Sequence, residues 1–577
     1  MAITLKGTDV VVIGLGAAGG TAVLPLAQAG LEIVGLEAGP RLTAADYALD
    51  EIRQANWNWL GKWKVNNEVP TWRQTPTSVA ASVASQGGAA ILMNNGVGGT
   101  SIHYAAASWR YLPWQFQVRS HTISRYGAGA IPAGSTVADW PLTYDDLEPY
   151  YEKVEYLHGE SGLAGNLKGI KQPGGNPFEG PRNKPYPNPP LRTAGWSAMM
   201  GEAAKKLGYH PFPEATFIRS QPYKGMPACT YCALCSPNGC YIDAKGGTAV
   251  AGIPEAEATK HLQVLTGARA TQINVDSSGR ATGVTFVQGG LEYFQPAKVV
   301  IVSTYVYENV RLLLLSKAAA FPQGLSNNHG QVGKHYISQL LIILSGLFPG
   351  KALNTFFGTS GQSTTIDDLD GDNFDHTGLG FIGGGKFSFN TGKTAISAAR
   401  LTPPSLASWG SDWKAWIAKN ANSVGTASGE GEALSYEDQF LDLDPSTKDP
   451  QGIPVVRVTY RLHETEVRLH QYMWKKADEL LKAAGASQTW GSGFSLAPDK
   501  PLPVPVNSHA YGGTRMGDDP EQTVVNGFGV SHEIPNLLVL GASAFPTSAG
   551  SNPTKTVMAW SWRAADNLVK NWGAIAG

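Results

Sequence analysis

Residues 9–37 constrain this chain more than any other stretch. A short β-branched run, Asp9-Val-Val-Val-Ile13, reads as a buried strand, and Gly14, Gly16 and Gly19 follow it at G-x-G-x-x-G spacing. An apolar helical stretch comes next, and a second strand-like run, LEIVGLE, ends at Glu37. In a chain with 68 glycines such spacing alone is weak. Strand, turn, helix and a terminal acid in that order are specific. Gly14 permits the tight turn, Gly16 lets backbone amides reach a pyrophosphate, and Gly19 allows the helix to lie close on the strand. The helix N-terminus then faces the phosphates, and Glu37 accepts hydrogen bonds from ribose hydroxyls. The motif predicts a dinucleotide but does not separate FAD from NAD.

At 577 residues the chain is too long for one ordinary core, which predicts two packed domains in an α/β protein. Further strands are expected over 264–276, 297–304 and 536–543, with a last helix starting near Pro553. Between them lie stretches rich in Pro, Gly, Trp and Asn. We therefore expect a discontinuous nucleotide-binding domain from 1–119, 226–320 and 500–577, and a second domain from 120–225 and 321–499. The Pro/Gly/Asn-rich run at 174–190 reads as a long surface loop. A formal charge of -1 and the lack of basic runs speak against a nucleic-acid partner. The longest apolar stretch, Tyr336 to Phe348, is shorter than the roughly 20 residues a spanning helix needs. The opening MAITLKGTDVVVIGLG runs straight into a strand, with no charged n-region or cleavage site of a signal peptide.

Two segments favour a flavin. GVGGTSIHYAA at 96–106 sets Gly98 and Gly99 beside Thr100, Ser101 and His103, a loop whose backbone can press on an isoalloxazine ring. Asn552-Pro553-Thr554 reads as a helix start, with Asn552 as N-cap and Pro553 at the first helical position. Amides at that end would stabilise charge on a reduced ring. Cys229, Cys232, Cys235 and Cys240 form C-x2-C-x2-C-x4-C. Tight thiolate spacing fits an iron–sulfur cluster, while two local disulfides or free thiols fit equally simple chemistry. Zinc matches the count of four but not the usual two spaced pairs.

Taken together, GVGGTSIHYAAASWRYLP at 96–113, PACTYCALCSPNGCYIDAK at 227–245, VIVSTYVYENVRLLLLSK at 300–317, DNFDH at 372–376, HAYGGTRMG at 509–517 and VLGASAFPTSAGSNPTKTVMA at 539–559 resemble the glucose-methanol-choline (GMC) oxidoreductases. Within that family the chain looks most like the flavoprotein subunits of gluconate 2-dehydrogenase and of sorbitol and fructose dehydrogenases, and the resemblance runs nearly end to end. It implies a GMC fold: a Rossmann-like FAD-binding domain beside a substrate domain built on an antiparallel sheet. One departure is Thr304, Tyr305 and Tyr307, where the family has small residues after a strand.

The resemblance implies that His509 takes the hydroxyl proton of a sugar, sugar acid or polyol while hydride passes to flavin N5, and that Asn552, an amide and no base, holds the substrate oxygen. It adds Ala268 and Ala542 to the cofactor contacts. Gly98-Gly99-Thr100-Ser101-Ile102-His103-Tyr104 matches the form of loop through which several members attach FAD covalently, here at His103. Related sugar dehydrogenases carry a 3Fe-4S cluster, for which the four cysteines would be the ligands. They also work with a small signal-bearing subunit and a cytochrome c subunit, which would place this chain in the periplasm at a membrane; a cytoplasmic flavoenzyme is the other reading. An oxygen-using sugar oxidase, and a flavin-binding subunit without turnover, are the competing functions. The tryptophans at 57–72 and 405–416 could stack on a sugar ring but are assigned no role.

Overall fold

Four β-branched residues in a row bury well only where a strand is covered on both faces, as in a parallel sheet. Val10, Val11 and Val12 are fully buried, and so are Val299 through Val302. The computed structural model describes residues 2–47, 49–52, 69–83, 93–236, 238–491 and 508–577. Its central parallel strands run, in spatial order, Leu537–Val539, Leu291–Val302, Thr8–Ile13, Ile33–Glu37 and Leu262–Thr266. Only the second half of Leu291–Val302 belongs to this parallel array. Its first half pairs antiparallel with Ala281–Gln288, which pairs in turn with Arg269–Val275.

The expected strand over 264–276 is thus two strands, parted by Gly267 at φ +65°. The expected 536–543 strand ends at Val539, and a short 3-10 turn over Ala542–Ala544 follows. Helix Ala17–Gln28 lies on the parallel sheet beside the last long helix, Thr554–Lys570. Gly19 is what lets the first of these lie so close. A Cβ there would come within 2.1 Å of the Gly14 carbonyl oxygen.

A second sheet of six strands is antiparallel throughout, in the order Gln488–Gly491, Leu340–Leu347, Val424–Gly431, Gly385–Ser388, Thr364–Ile366 and Phe212–Pro213. Leu340, Ile342 and Leu344 are buried while Leu341 and Ile343 are exposed, the alternation of a sheet with one covered face. Helix Glu464–Ala483 covers that face with Leu469, Met473, Ala477, Leu480 and Leu481. These two sheets are the α/β fold that the sequence predicts. The inferred domain limit at 499/500 lies outside the described residues, as do the tryptophans of 57–72 before Trp72.

The 174–190 run is not a free surface loop. Arg182 is fully buried in it, bonded to Glu179 and to Glu155 of helix Tyr144–His158. Glu155 also takes Arg110 at 2.7 Å and Lys555 at 3.1 Å, and Lys555 reaches Glu160 at 2.8 Å. Every one of these side chains is at most 8% exposed.

Other buried acids have weaker support. Glu214, just past the edge strand, has one oxygen without a hydrogen-bond partner, and burial pushes its carboxyl up to about 7. The folded chain then holds this proton more tightly than the unfolded one, so the stabilisation is complete below the ordinary carboxylate range and is lost as pH climbs through about 7. Thermal melts are expected to show Tm falling from about pH 5 to about pH 7 and levelling above that. Glu214→Gln, which keeps the neutral shape, should remove up to about 3 kcal/mol of that pH-dependent loss.

Candidate active site

Both sheets send chain ends to one cleft of about 420 Å³, a volume fit for a ligand rather than a few waters. Gly14, Gly16, Glu37, Gly99, Thr100, His103, His509, Ala542, Asn552, Pro553 and Thr554 all line it. The two glycine loops meet here: a Cβ on Gly99 would lie 2.8 Å from the Gly16 Cα. No side chain caps helix Ala17–Gln28, so its first amides are free to meet an anion. Glu37 is buried, with Oε2 accepting from the Leu15 amide at 3.1 Å and Oε1 from the Gly39 amide at 2.9 Å. This fixes the carboxylate at the far end of the cleft.

Three expected cofactor residues stand behind the lining. Gly19 packs helix on strand, and Gly98 makes a left-handed turn at φ +98° under the loop. Ala268 is buried with its amide given to the Glu37 carbonyl, so its neighbours Arg269 and Ala270 face the cleft instead. Asn552 is not the helix N-cap either. The helix starts at Thr554 with Pro553 flanking it, and the Asn552 side chain turns into the cleft.

That side chain is oriented by its partners. Trp109 Nε1 donates to Asn552 Oδ1 at 3.2 Å, which directs the amide Nδ2 to His509 Nε2 at 3.3 Å. His509 is held from its other side. Gln339 spends its Nε2 on the carbonyls of Ala549 and Ser551, the latter at 3.1 Å, so its Oε1 is the atom facing His509 Nδ1 at 2.7 Å. An acceptor there requires the proton on Nδ1 and leaves Nε2 as the acceptor for Asn552 Nδ2 at the cleft wall. Glu430 Oε2, 3.3 Å from Nδ1, favours the same tautomer.

Sequence reasoning brought His509 and Asn552 together but missed Trp109, Gln339 and Glu430. A lone Gln inside the apolar run ISQLLIIL was a usable signal. Glu430, between glycines in SGEGE, carried none. The three bulky residues at 304–307 are well accommodated. Tyr305 donates to the Ser508 carbonyl at 2.9 Å, and the Tyr307 hydroxyl meets that of Tyr336 at 2.7 Å.

His103 is buried on the cleft wall, and its imidazole is pushed down to about 4 by burial and by nearby Lys245. The cysteine loop adjoins the cleft through Ser236. All four cysteines are free, which removes the disulfide reading. Among the described residues no three Cys, His, Asp or Glu side chains converge as metal ligands, so the iron–sulfur expectation finds no matching geometry. Left-handed backbone at Tyr231 and Ala233 bends the loop, Cys229 Sγ accepts from the Tyr231 amide at 3.3 Å, and Cys235 Sγ pairs with Thr359 Oγ1 at 2.9 Å. Burial pushes the Cys229 thiol up to about 12.

Residues 438–561, which include His509 and Asn552, match the family described as GMC oxidoreductase. The gluconate 2-dehydrogenase flavoprotein of Pantoea cypripedii is 33% identical, over 99% of this chain and 95% of its own. This chain is a GMC oxidoreductase. It is therefore an enzyme of the oxidoreductase class acting on CH–OH donors. The fructose dehydrogenase large subunit of Gluconobacter japonicus is 26% identical over 98% of both chains. The crystal structure of pyridoxine 4-oxidase from Mesorbium loti has the same fold, with a TM-score of 0.60 at 15% identity, covering 97% of this chain and 99% of that one.

If Gln339 sets the tautomer, its loss lowers turnover without removing the base. Gln339→Leu is expected to slow substrate oxidation about 10- to 100-fold, short of the loss seen when a general base is deleted. Steady-state rates across pH check this; an unchanged rate and profile would show that Glu430 alone orients the ring.

Proposed function

We propose that this GMC oxidoreductase is an FAD-dependent dehydrogenase that oxidises a primary or secondary carbinol of a sugar, sugar acid or polyol. The observation that carries the reading is the His509–Asn552 pair, which lines a cleft whose other end is a dinucleotide-type turn. The residues present suit FAD: the meeting glycine loops, the uncapped helix and the fixed Glu37 carboxylate form a cradle for an extended dinucleotide. When bound, the flavin supplies a hydride acceptor.

The protein's own part is positional and acid–base. His509 Nε2 accepts the carbinol proton, and the imidazolium so formed is stabilised by Gln339 Oε1 and Glu430. Asn552, aligned by Trp109, offers Nδ2 to the same oxygen and keeps the reacting carbon in place. Thr554, at the start of the last helix, brings that helix's positive end to the cleft.

Two further elements belong to the proposal. His103, neutral and on the wall, is the residue through which FAD would be attached. Electrons would pass to a cytochrome or quinone, with this chain assembled with a small signal-bearing subunit and a cytochrome c subunit at the periplasmic face of a membrane. The named relative that is a large subunit supports a multi-subunit assembly. Among the described residues no helix is long and apolar enough to cross a membrane, so attachment would fall to a partner. The iron–sulfur cluster is not part of the proposal.

His509→Ala should slow anaerobic flavin reduction by about 10²- to 10⁴-fold; near-normal reduction would remove His509 as the base. Acid precipitation of the holoenzyme should leave flavin on the protein, and His103→Ala should release it. Free flavin from the unmutated protein would refute the attachment. Peroxide formation at the rate of substrate oxidation would favour an oxygen-using oxidase over a dehydrogenase.

A further inference from the structure

Gln339 already accepts from His509 Nδ1, yet a carboxylate, Glu430, stands beside it as well. It belongs to strand Val424–Gly431 of the antiparallel sheet, and its carboxylate spans the catalytic pair, with Oε2 3.3 Å from His509 Nδ1 and Oε1 3.5 Å from Asn552 Nδ2. The strand cannot draw back to hide it. A Cβ on neighbouring Gly429 would strike the Phe387 ring at 2.6 Å, and one on Gly431 would already crowd Leu340 and Ile342 at 3.2 Å.

The charges around this acid are unequal. Among the described residues lining the cleft, the cations are Arg269 and Arg311, and the other acids are Glu37 and Glu308. Both arginines are held by Asp449, at 2.7 and 2.8 Å, and Arg311 also by Glu308 at 3.3 Å. They stand at the nucleotide end, next to Ala268 on the Glu37 carbonyl. Behind the catalytic pair, Lys386 lies 4.5 Å from the Trp109 ring centre, but Asp367 and Asp370 take its charge at 3.2 and 3.6 Å, and it does not line the cleft. Buried Lys245, near His103, is spent on the carbonyls of Tyr104, Cys235 and Asn238 and does not line the cleft. Among the described lining residues at the His509 end the fixed charge is therefore negative, with no lysine or arginine to receive an anion.

We infer that Glu430 selects the substrate class: an uncharged polyhydroxy carbinol, whose hydroxyl next to the reacting carbon donates to Glu430, with sugar acids rejected. The inference rests on the carbinol-oxidising reading above and narrows it. A substrate carboxylate brought to the reacting position would face Glu430 at short range in a poorly solvated site, where like charges repel strongly. A neutral diol meets the reverse situation, because a carboxylate is the strongest hydroxyl acceptor a protein offers.

The decisive pair of substrates has the same carbon skeleton and nearly the same shape, and only one of them is charged. Gluconate and gluconamide share every carbinol, so anaerobic flavin bleaching of the holoenzyme by each isolates the effect, with glucitol, glucose, fructose and propane-1,2-diol as further neutral alcohols. Gluconamide, or any of the neutral alcohols, is expected to exceed gluconate in kcat/KM by at least about tenfold. Glu430→Gln, of the same shape without the charge, should shrink that ratio at least about threefold. Gluconate reacting as well as or better than every neutral compound would overturn the inference and leave carbinol oxidation standing. So would a ratio that Glu430→Gln leaves unchanged. Flavin that dithionite reduces and none of these alcohols does would sink the carbinol reading and this inference with it.

Discussion

The active-site end of the last helix is fixed by a buried charge. Lys555 sits in the first turn of Thr554–Lys570, the end of a helix where a cation is least welcome. Glu155 and Glu160, both fully buried, make it tolerable. Burial alone would push Glu155 up, but Arg110, Arg182 and Lys555 together hold it well below the ordinary carboxylate range. The network ties four stretches of chain: the flavin-loop segment through Arg110, helix Tyr144–His158 through Glu155, the 174–190 run through Arg182, and the C-terminal helix through Lys555. Removing one member of such a buried set costs about 3–5 kcal/mol, since its partners keep their charge without compensation. Asn552 lies three residues from Lys555, so the placement of its amide in the cleft inherits that rigidity.

A second chain of interactions sets the chemistry apart from the architecture. Lys386 lies against Trp109, Trp109 donates to Asn552, and Asn552 points at His509, while Gln339 fixes the same ring from behind. Each link uses a donor or acceptor whose other end is already committed, and that is why the amide and imidazole orientations follow from the hydrogen bonds. The two sheets divide the work. The parallel sheet holds the glycine turn and Glu37; the antiparallel sheet supplies Glu430 and, at the head of strand Leu340–Leu347, Gln339.

How much of this could be read in the sequence follows from how local each signal is. The strand–turn–helix at 9–37 was legible because one short stretch carries both the β-branched burial and the glycines that the turn demands. His509 and Asn552 were legible through motif resemblance, although only the fold shows that they touch. The antiparallel sheet was not legible strand by strand. Its strands include Phe212–Pro213 with two residues and VGTASGEG, which has no apolar alternation to read. Glu430 was hidden for the same reason. Reading 174–190 as a loop held, but composition could not reveal that Arg182 within it is buried against Glu155, a helix away in sequence. The cysteine spacing suggested convergence, and composition could not show the left-handed backbone at Tyr231 and Ala233 that bends this loop.

The strand order has a consequence for synthesis. Leu537–Val539 completes one edge of a parallel array whose first strand is made at residues 8–13, and the cleft walls at Gly541, Ala542, Asn552 and the last helix come later still. A nascent chain emerging from the ribosome can form the glycine turn early, but its neighbour Leu291–Val302 is exposed on one edge until the end arrives. Pairings this distant in sequence form slowly and leave apolar strand edges open meanwhile. A chain truncated before Leu537 would keep the glycine turn and His509 but leave the Leu291–Val302 edge unpaired and the cleft without Asn552.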